Sequence, residues 1–204
     1  MALNNVAALR TNIKDTLSRD DFTDAQINDF ILLAEERHKN EIRCREMIQR
    51  EALSVDDQFV SLPSGYLQAM VIRLLTSPVT DLEQISLQEI SRVRRTGTGK
   101  PQFFTIHAQI EFETDVDQTY SGEIIYFKEF TPLDDDNTSN GLLTRSPAAY
   151  LYASLLAATP WIMDDQRIPM WAQLYAAARD GLNLSSKKSL RSGPQFARIA
   201  SVIA

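Results

Sequence analysis

Cysteine is nearly absent from the chain. The 204 residues hold one, Cys44, which excludes an internal disulfide and a zinc site built from cysteines. Histidine is almost as scarce, with two residues, so groups that titrate near neutral pH and could act as general bases are few. No apolar run approaches the ~20 residues of a membrane span, and the opening MALNNVAALR lacks the apolar core of a signal peptide. A soluble protein made inside the cell is the expectation. A basic surplus is missing too. The 21 Lys and Arg against 27 Asp and Glu leave a net charge of −6, which is not the footprint of a protein that docks on a phosphate backbone.

What is present suits a globular chain. Apolar residues make up 44% and charged residues 24%, and a chain of this size buries roughly 70% of its unfolded surface without help from a disulfide or metal. The charge is unevenly placed. Beyond Gly181 the charged residues are Lys187, Lys188, Arg191 and Arg198, with no acid among them. An acidic body with a basic end reads as an interaction tail more than as a catalytic design.

The periodicity predicts helices at both ends. Leu3, Val6, Leu9, Ile13 and Leu17 form one stripe at spacings of three and four. Thr23 stands three residues before Gln26, a capping-box spacing, and opens a helix that buries Ile27, Phe30, Ile31 and Ala34 and runs to about Arg50. Pro63 and Gly65 force a turn; Tyr66–Leu75 is apolar enough to be buried, with a period that fits strand or helix. Ser86 and Glu89 repeat the capping-box spacing and start a short helix through Arg95, followed by a flexible loop at Gly97, Gly99 and Pro101. The clearest strand is Phe104–Phe112, with Phe104, Ile106, Ala108, Ile110 and Phe112 on one face and Thr105, His107, Gln109 and Glu111 on a wet one. A second strand, Glu123–Phe130, makes a hairpin or meander. Residues 131–144 read as a surface loop, Ser146-Pro147 as a helix start, and Pro169 as the first turn of a last long helix striped by Trp171, Leu174, Tyr175, Ala178 and Leu182. The pattern lapses at Ser192, Gly193 and Pro194, and the short segment 195–204 is apolar with one charge, Arg198.

Constellations for chemistry are thin. His38 and Cys44, six residues apart on a presumed helix, face away from each other; a surface histidine and a semi-buried thiol are the simpler reading. His107 falls on the polar face of its strand and is expected in solvent. Asp134, Asp135, Asp136 and Asn137 resemble a calcium loop, but Ser139 stands where glycine is needed and Arg145 where a glutamate belongs. TGTGK at 96–100 is too short for a phosphate loop. Arg92, Arg94, Arg95 and Lys100 make a local basic cluster, read as a solvated helix end. No catalytic residue, metal or cofactor is assigned. Phe196, Ile199, Ala200, Val202 and Ile203, beyond a Gly-Pro break, are either a frayed end or a segment that buries on a partner.

The order of segments resembles the head-to-tail adaptor, or connector, proteins of short-tailed bacteriophages. The resemblance rests on Leu62-Pro63-Ser64-Gly65-Tyr66-Leu67, on Leu82-Glu83-Gln84-Ile85-Ser86 with Glu89, and on Gly99-Lys100-Pro101-Gln102-Phe103-Phe104. It continues through Glu123-Ile124-Ile125-Tyr126-Phe127, Asn140-Gly141-Leu142-Leu143, Ser146-Pro147 with Tyr150-Leu151-Tyr152, and Trp171 with Tyr175, covering about residues 60–180. The chain departs from it at Glu113-Thr114-Asp115, where relatives tend to carry prolines.

The resemblance implies a non-enzymatic virion protein at the head–tail junction, assembled in the host cytoplasm. It implies a ring, usually of twelve copies, that joins the portal to the tail nozzle and lets DNA pass unbound. The expected fold is α+β and mainly α: a helical bundle in residues 1–189 with an antiparallel β-hairpin or meander inserted at about 102–130, and an extended C-terminal docking arm, 190–204. Leu190, Phe196, Ile199, Val202 and Ile203 are expected to face the portal, with Lys187, Lys188, Arg191 and Arg198 steering or anchoring them. The rival readings are a virion-borne peptidoglycan hydrolase using an acidic pair and a nucleic-acid-binding packaging factor.

Overall fold

The computed structural model describes residues 3–19, 21–162 and 165–190. The chain falls into two compact units, one made of the segments up to Glu46 and from Thr131 onward, the other of Met47–Phe130.

The first unit is helical. Helix α1, Val6–Leu17, starts where the Asn5 side chain accepts the Ala8 N–H at 2.8 Å, and it buries Val6, Leu9, Ile13 and Leu17. Helix α2, Asp24–Glu41, carries the expected capping box, with Thr23 and Gln26 each satisfying the other's backbone N–H. Helix α5, Pro147–Ala157, has no charged residue and packs against α1, α2, the short α4 (Gly141–Arg145) and α6 (Ile168–Leu190). Ala34 of α2 and Ala153 of α5 sit in one buried cluster with Tyr175 of α6, and their small side chains let α2 and α5 approach closely. The stretch 131–144, expected as loop throughout, contains α4 because Asn140 caps it, accepting the Leu143 N–H at 2.9 Å, and Leu142 and Leu143 are buried. Ser146 makes no side-chain cap; Pro147 alone marks that start.

The second unit corrects the expected fold class. A helical bundle with one inserted hairpin is not what forms; the protein is α+β with two four-stranded sheets. The strands are β1 (Ile48–Val55), β2 (Phe59–Ser61), β3 (Tyr66–Leu74), β4 (Thr80–Asp81), β5 (Glu83–Gln84), β6 (Phe103–Ile106), β7 (Gln109–Phe112) and β8 (Tyr120–Lys128). Helix α3, Leu87–Val93, lies between β5 and β6 under the expected Ser86–Glu89 capping box. One sheet runs β1-β8-β3-β4 and the other β2-β7-β6-β5, antiparallel except for β5 with β6. Leu53, Val55, Ile72, Leu74, Ile124 and Tyr126 of the first sheet share a core with Phe104, Ile110 and Phe112 of the second, so the sheets pack face to face.

Two sequence readings change here and one open reading is settled. The helix expected to reach Arg50 ends at Glu41, because residues 48–55 pair along their whole length with β8; their helix-like composition yields to eight paired positions. Tyr66–Leu74 is a strand. Phe104–Phe112 is not one strand but a tight hairpin, with Phe104 opposite Phe112 and Ile106 opposite Ile110. Its alternation survives the turn, so period alone did not reveal it.

Strand β8 is central, between β1 and β3, and at Gly122 the three backbones crowd together. A Cβ there would meet the Arg73 carbonyl oxygen at 2.9 Å and the Leu53 carbonyl oxygen at 3.3 Å. Gly122→Ala is expected to destabilise the protein by about 1–3 kcal/mol through this overpacking, read as a lower urea midpoint; an unchanged midpoint would show that the strands move apart at no cost.

Candidate functional site

The predicted docking residues begin on the last turns of α6. Its buried stripe is Trp171, Tyr175, Leu182 and Ser186, and the polar member of that stripe has work to do. Ser186 Oγ accepts the Arg45 N–H at 3.1 Å. Asn183 Oδ1 accepts the Arg43 N–H at 2.9 Å while its Nδ2 donates to the Glu41 carbonyl at 3.0 Å. The backbone following α2 is thus tied to the end of α6. Sequence reading missed both residues; the available signal was a serine placed on an otherwise apolar stripe. Lys187, Lys188 and Leu190 are exposed beside this anchored side. Arg191, Phe196, Arg198, Ile199, Val202 and Ile203 lie outside the described residues.

Higher on α6, the Tyr175 ring is flanked by the guanidinium carbons of Arg37 and Arg179, 5.3 and 5.9 Å from its centroid. Glu41 accepts from Arg179 at 2.8 Å and lies 3.5 Å from Arg37. These residues border a shallow groove of about 300 Å³. A second groove of the same volume opens beside α2, where Leu32, Pro132 and Leu133 meet Asp29, Asp134 and Asp135.

The basic cluster expected as a solvated helix end is exposed at Arg92, Arg94 and Arg95, and two of these arginines also reach buried carboxylates of the β unit. Arg94 pairs with Glu111, and Arg95 donates to Glu113 at 3.0 Å. Glu113 is fully buried and also accepts the backbone N–H groups of Gln102 and Phe103 at 2.9 and 3.0 Å. Three donors offset the cost of burying its charge. Lys100 donates to Thr76 and Thr80 at 2.9 and 2.8 Å. The polar face of the hairpin is therefore wet only near its turn: His107 and Gln109 are exposed, while Thr105, Glu111 and Glu113 are buried. The loop at 97–101 is pinned as well, Gly99 donating to the Asp115 carbonyl and Thr114 to that of Gly97, each at 2.8 Å.

One histidine departs from expectation: His107 is exposed as expected, whereas His38 is not. His107 sits in the hairpin turn, where its Nδ1 accepts the Ala108 N–H at 2.8 Å, which leaves the hydrogen on Nε2 to face Glu111 at 3.2 Å. His38 is buried, with Nε2 3.3 Å from the Ala149 carbonyl and its ring edge-on to Tyr150 at 4.8 Å. Burial pushes its pKa down to about 4. Next to it, buried Glu35 accepts the Leu133 N–H at 2.8 Å and the Tyr150 hydroxyl at 3.1 Å, and burial pushes its carboxyl above the usual range. Cys44 is buried. Among the described residues no group of three or more His, Cys, Asp or Glu could hold a metal ion, and no helix is long and apolar enough to cross a membrane.

The chain belongs to the SU10 adaptor protein family, whose pattern matches residues 4–198. No curated protein matches it. The membership bears out the resemblance to phage head-tail adaptors and makes the chain an adaptor and a structural component of the virion.

Two predictions come from these contacts. Asn183→Ala removes two hydrogen bonds from partly buried backbone and is expected to cost about 1–3 kcal/mol, with faster amide exchange at Arg43; unchanged exchange there would show that the tie is dispensable. The second concerns pH. Unfolded His38 takes a proton near its ordinary 6.5, while the folded chain resists until about 4, so the unfolded state binds more protons between those values and stability falls as pH drops. Glu35, raised in the folded state, takes its proton earlier there than when unfolded and offsets part of the loss. Between pH 7 and 4.5 the His38 contribution is about 2 kcal/mol, and His38→Phe should flatten the decline seen in urea titrations; an equal slope would refute the assignment.

Proposed function

We propose that copies of this chain form a ring that joins the portal to the tail nozzle and lets DNA pass. The observation that carries this reading is the end of α6. It is hydrogen-bonded to the body through Asn183 and Ser186, exposes Lys187, Lys188 and, one turn beyond Ser186, Leu190, and leads into a basic, apolar segment. The family's matched span runs to residue 198, past the Ser192-Gly193-Pro194 break, so it takes in Phe196 and Arg198 and stops before Ile199, Val202 and Ile203. In this reading Leu190, Phe196, Ile199, Val202 and Ile203 bury on the portal, and Lys187, Lys188, Arg191 and Arg198 steer the approach. A net charge of −6 gives a closed ring a lumen that repels the passing phosphate backbone. The docking arm, 190–204, acts separately from the body, 1–189, in which no residue is assigned a catalytic role.

A nucleic-acid-binding role would need the basic cluster at 92–100, and Arg94, Arg95 and Lys100 are already engaged within the β unit. The acidic pair of a peptidoglycan hydrolase gains no support from Glu111 and Glu113, which are buried against arginines.

Native mass of the protein alone and after mixing with the portal from the same genome tests the proposal. Co-assembly at a fixed multiple is expected, and a chain ending at Gly193 should lose it. Equal binding by the shortened chain would overturn the arm assignment, and a monomer that ignores the portal would overturn the adaptor ring.

A further inference from the structure

Helix α6 is apolar on two sides. Met170, Leu174, Ala177, Gly181, Leu184 and Lys188 follow one another at alternating spacings of four and three, and all six are exposed. They form a straight seam about 130° round the helix from the buried stripe. Met170 and Leu184 are 51% and 54% exposed, too much apolar surface for a helix face whose final environment is water. Ala177 and Gly181 at its middle leave room for close approach, and Lys188 ends it with a positive charge.

A complementary surface exists on the same unit. Leu32 of α2, 54% exposed, opens with Pro132 and Leu133 onto the groove of about 300 Å³ whose rim carries Asp29 and Asp134. Arg10 already holds Asp135 there at 2.7 Å. The seam is apolar with a basic end; the groove is apolar with an acidic rim. Both are exposed in one chain at once, so neither covers the other from within.

We infer that the occupant of the seam is the acid-rimmed groove of a second copy of this chain, with Leu184 seated on Leu32, Pro132 and Leu133 and Lys188 facing Asp29 and Asp134. The contact joins two different surfaces, so it is heterologous and repeats from copy to copy until a rotation closes it. It deepens the ring reading and rests on that reading for closure. It also divides the end of α6. Lys188 lies in the seam, whereas Lys187 and Leu190 are turned about 100° and 160° away from it and remain with the arm.

Disulfide trapping tests the contact. Leu32→Cys and Leu184→Cys are made singly and together, with buried Cys44 left in place, and are oxidised mildly with and without the portal. The double variant is expected to give a ladder of dimers, trimers and larger species on a non-reducing gel, and the single variants none. Dimers from Leu184→Cys alone would mean that the seam packs on itself and would overturn the inference, as would the absence of a ladder from the double variant. Native mass of the unaltered chain with the portal separates the two readings. Co-assembly without a ladder removes the contact and leaves the ring, whereas a ladder without co-assembly keeps the contact and removes the portal.

Discussion

The antiparallel pairing of β1 with β8 is the constraint on which the architecture depends. It runs from Ile48 opposite Phe127 to Val55 opposite Tyr120, so the strand that enters the β unit lies beside the strand that leaves it, about 5 Å away. The chain can therefore depart after Glu46, build two sheets, and return at Thr131 to finish a helical unit assembled from separated segments. The same strand, β8, holds β3 on its other flank, and Gly122 is where the three backbones come closest. Had β1 continued α2 as a helix, β8 would be an edge strand with half of its hydrogen bonds unmade, and the shared core of the two sheets would lose Leu53 and Val55.

Much of the helical unit was legible, because its signals are local. The reciprocal cap at Thr23 and Gln26 needs only a spacing of three residues, as does the one at Ser86 and Glu89 in the β unit. The α1 stripe and the Trp171, Tyr175 and Leu182 part of the α6 stripe need only one helix face, although Leu174 proved exposed. The β unit was read poorly for the opposite reason. Residues 48–55 include Gln, Arg, Glu and Ala, which favour helix in isolation, and become a strand only because β8 pairs with all eight. The alternation from Phe104 to Phe112 is real, yet a two-residue turn folds it back on itself without breaking the period. The buried face of that hairpin could not be seen either. Glu113 looks like a solvent residue until Arg95, 18 positions earlier, and two backbone N–H groups converge on it. That departure from the adaptor pattern is thus the residue that fixes the 95–103 loop. Of the candidate site, the basic and apolar composition was legible, and its anchoring through Asn183 and Ser186 was not, since those bonds reach back 140 and 141 residues.

The two units handle charge in different ways. The β unit pairs much of its basic cluster within itself, Arg94 and Arg95 with buried glutamates and Lys100 with threonine hydroxyls. The helical unit keeps an uncharged α5 at its centre and buries His38 and Glu35 in states that avoid an isolated charge. His38 stays neutral because imidazolium would lose its hydration, and Glu35 is supported by a backbone N–H and the Tyr150 hydroxyl. What remains outside is an acidic groove beside α2 and a basic end on α6, two fields of opposite sign on one unit.

Fields of opposite sign on one small unit carry a consequence for assembly. A chain with a single sticky patch makes dimers and stops. One with two patches that match each other, and that cannot meet within the same molecule, grows by addition of copies, and closure is the only way to leave no patch uncovered. Growth of that kind invites filaments unless the angle between patches is fixed. In the proposed contact the helical unit would set that angle, because α2 and α6 both pack on α5 and the end of α2 and the residues after it are tied to α6 by Asn183, Ser186 and Arg179. In the proposed ring a side chain such as Asn183 would therefore bear on how many copies fit before the circle closes: loosening it would widen the distribution of angles between α2 and α6 without touching either proposed contact surface.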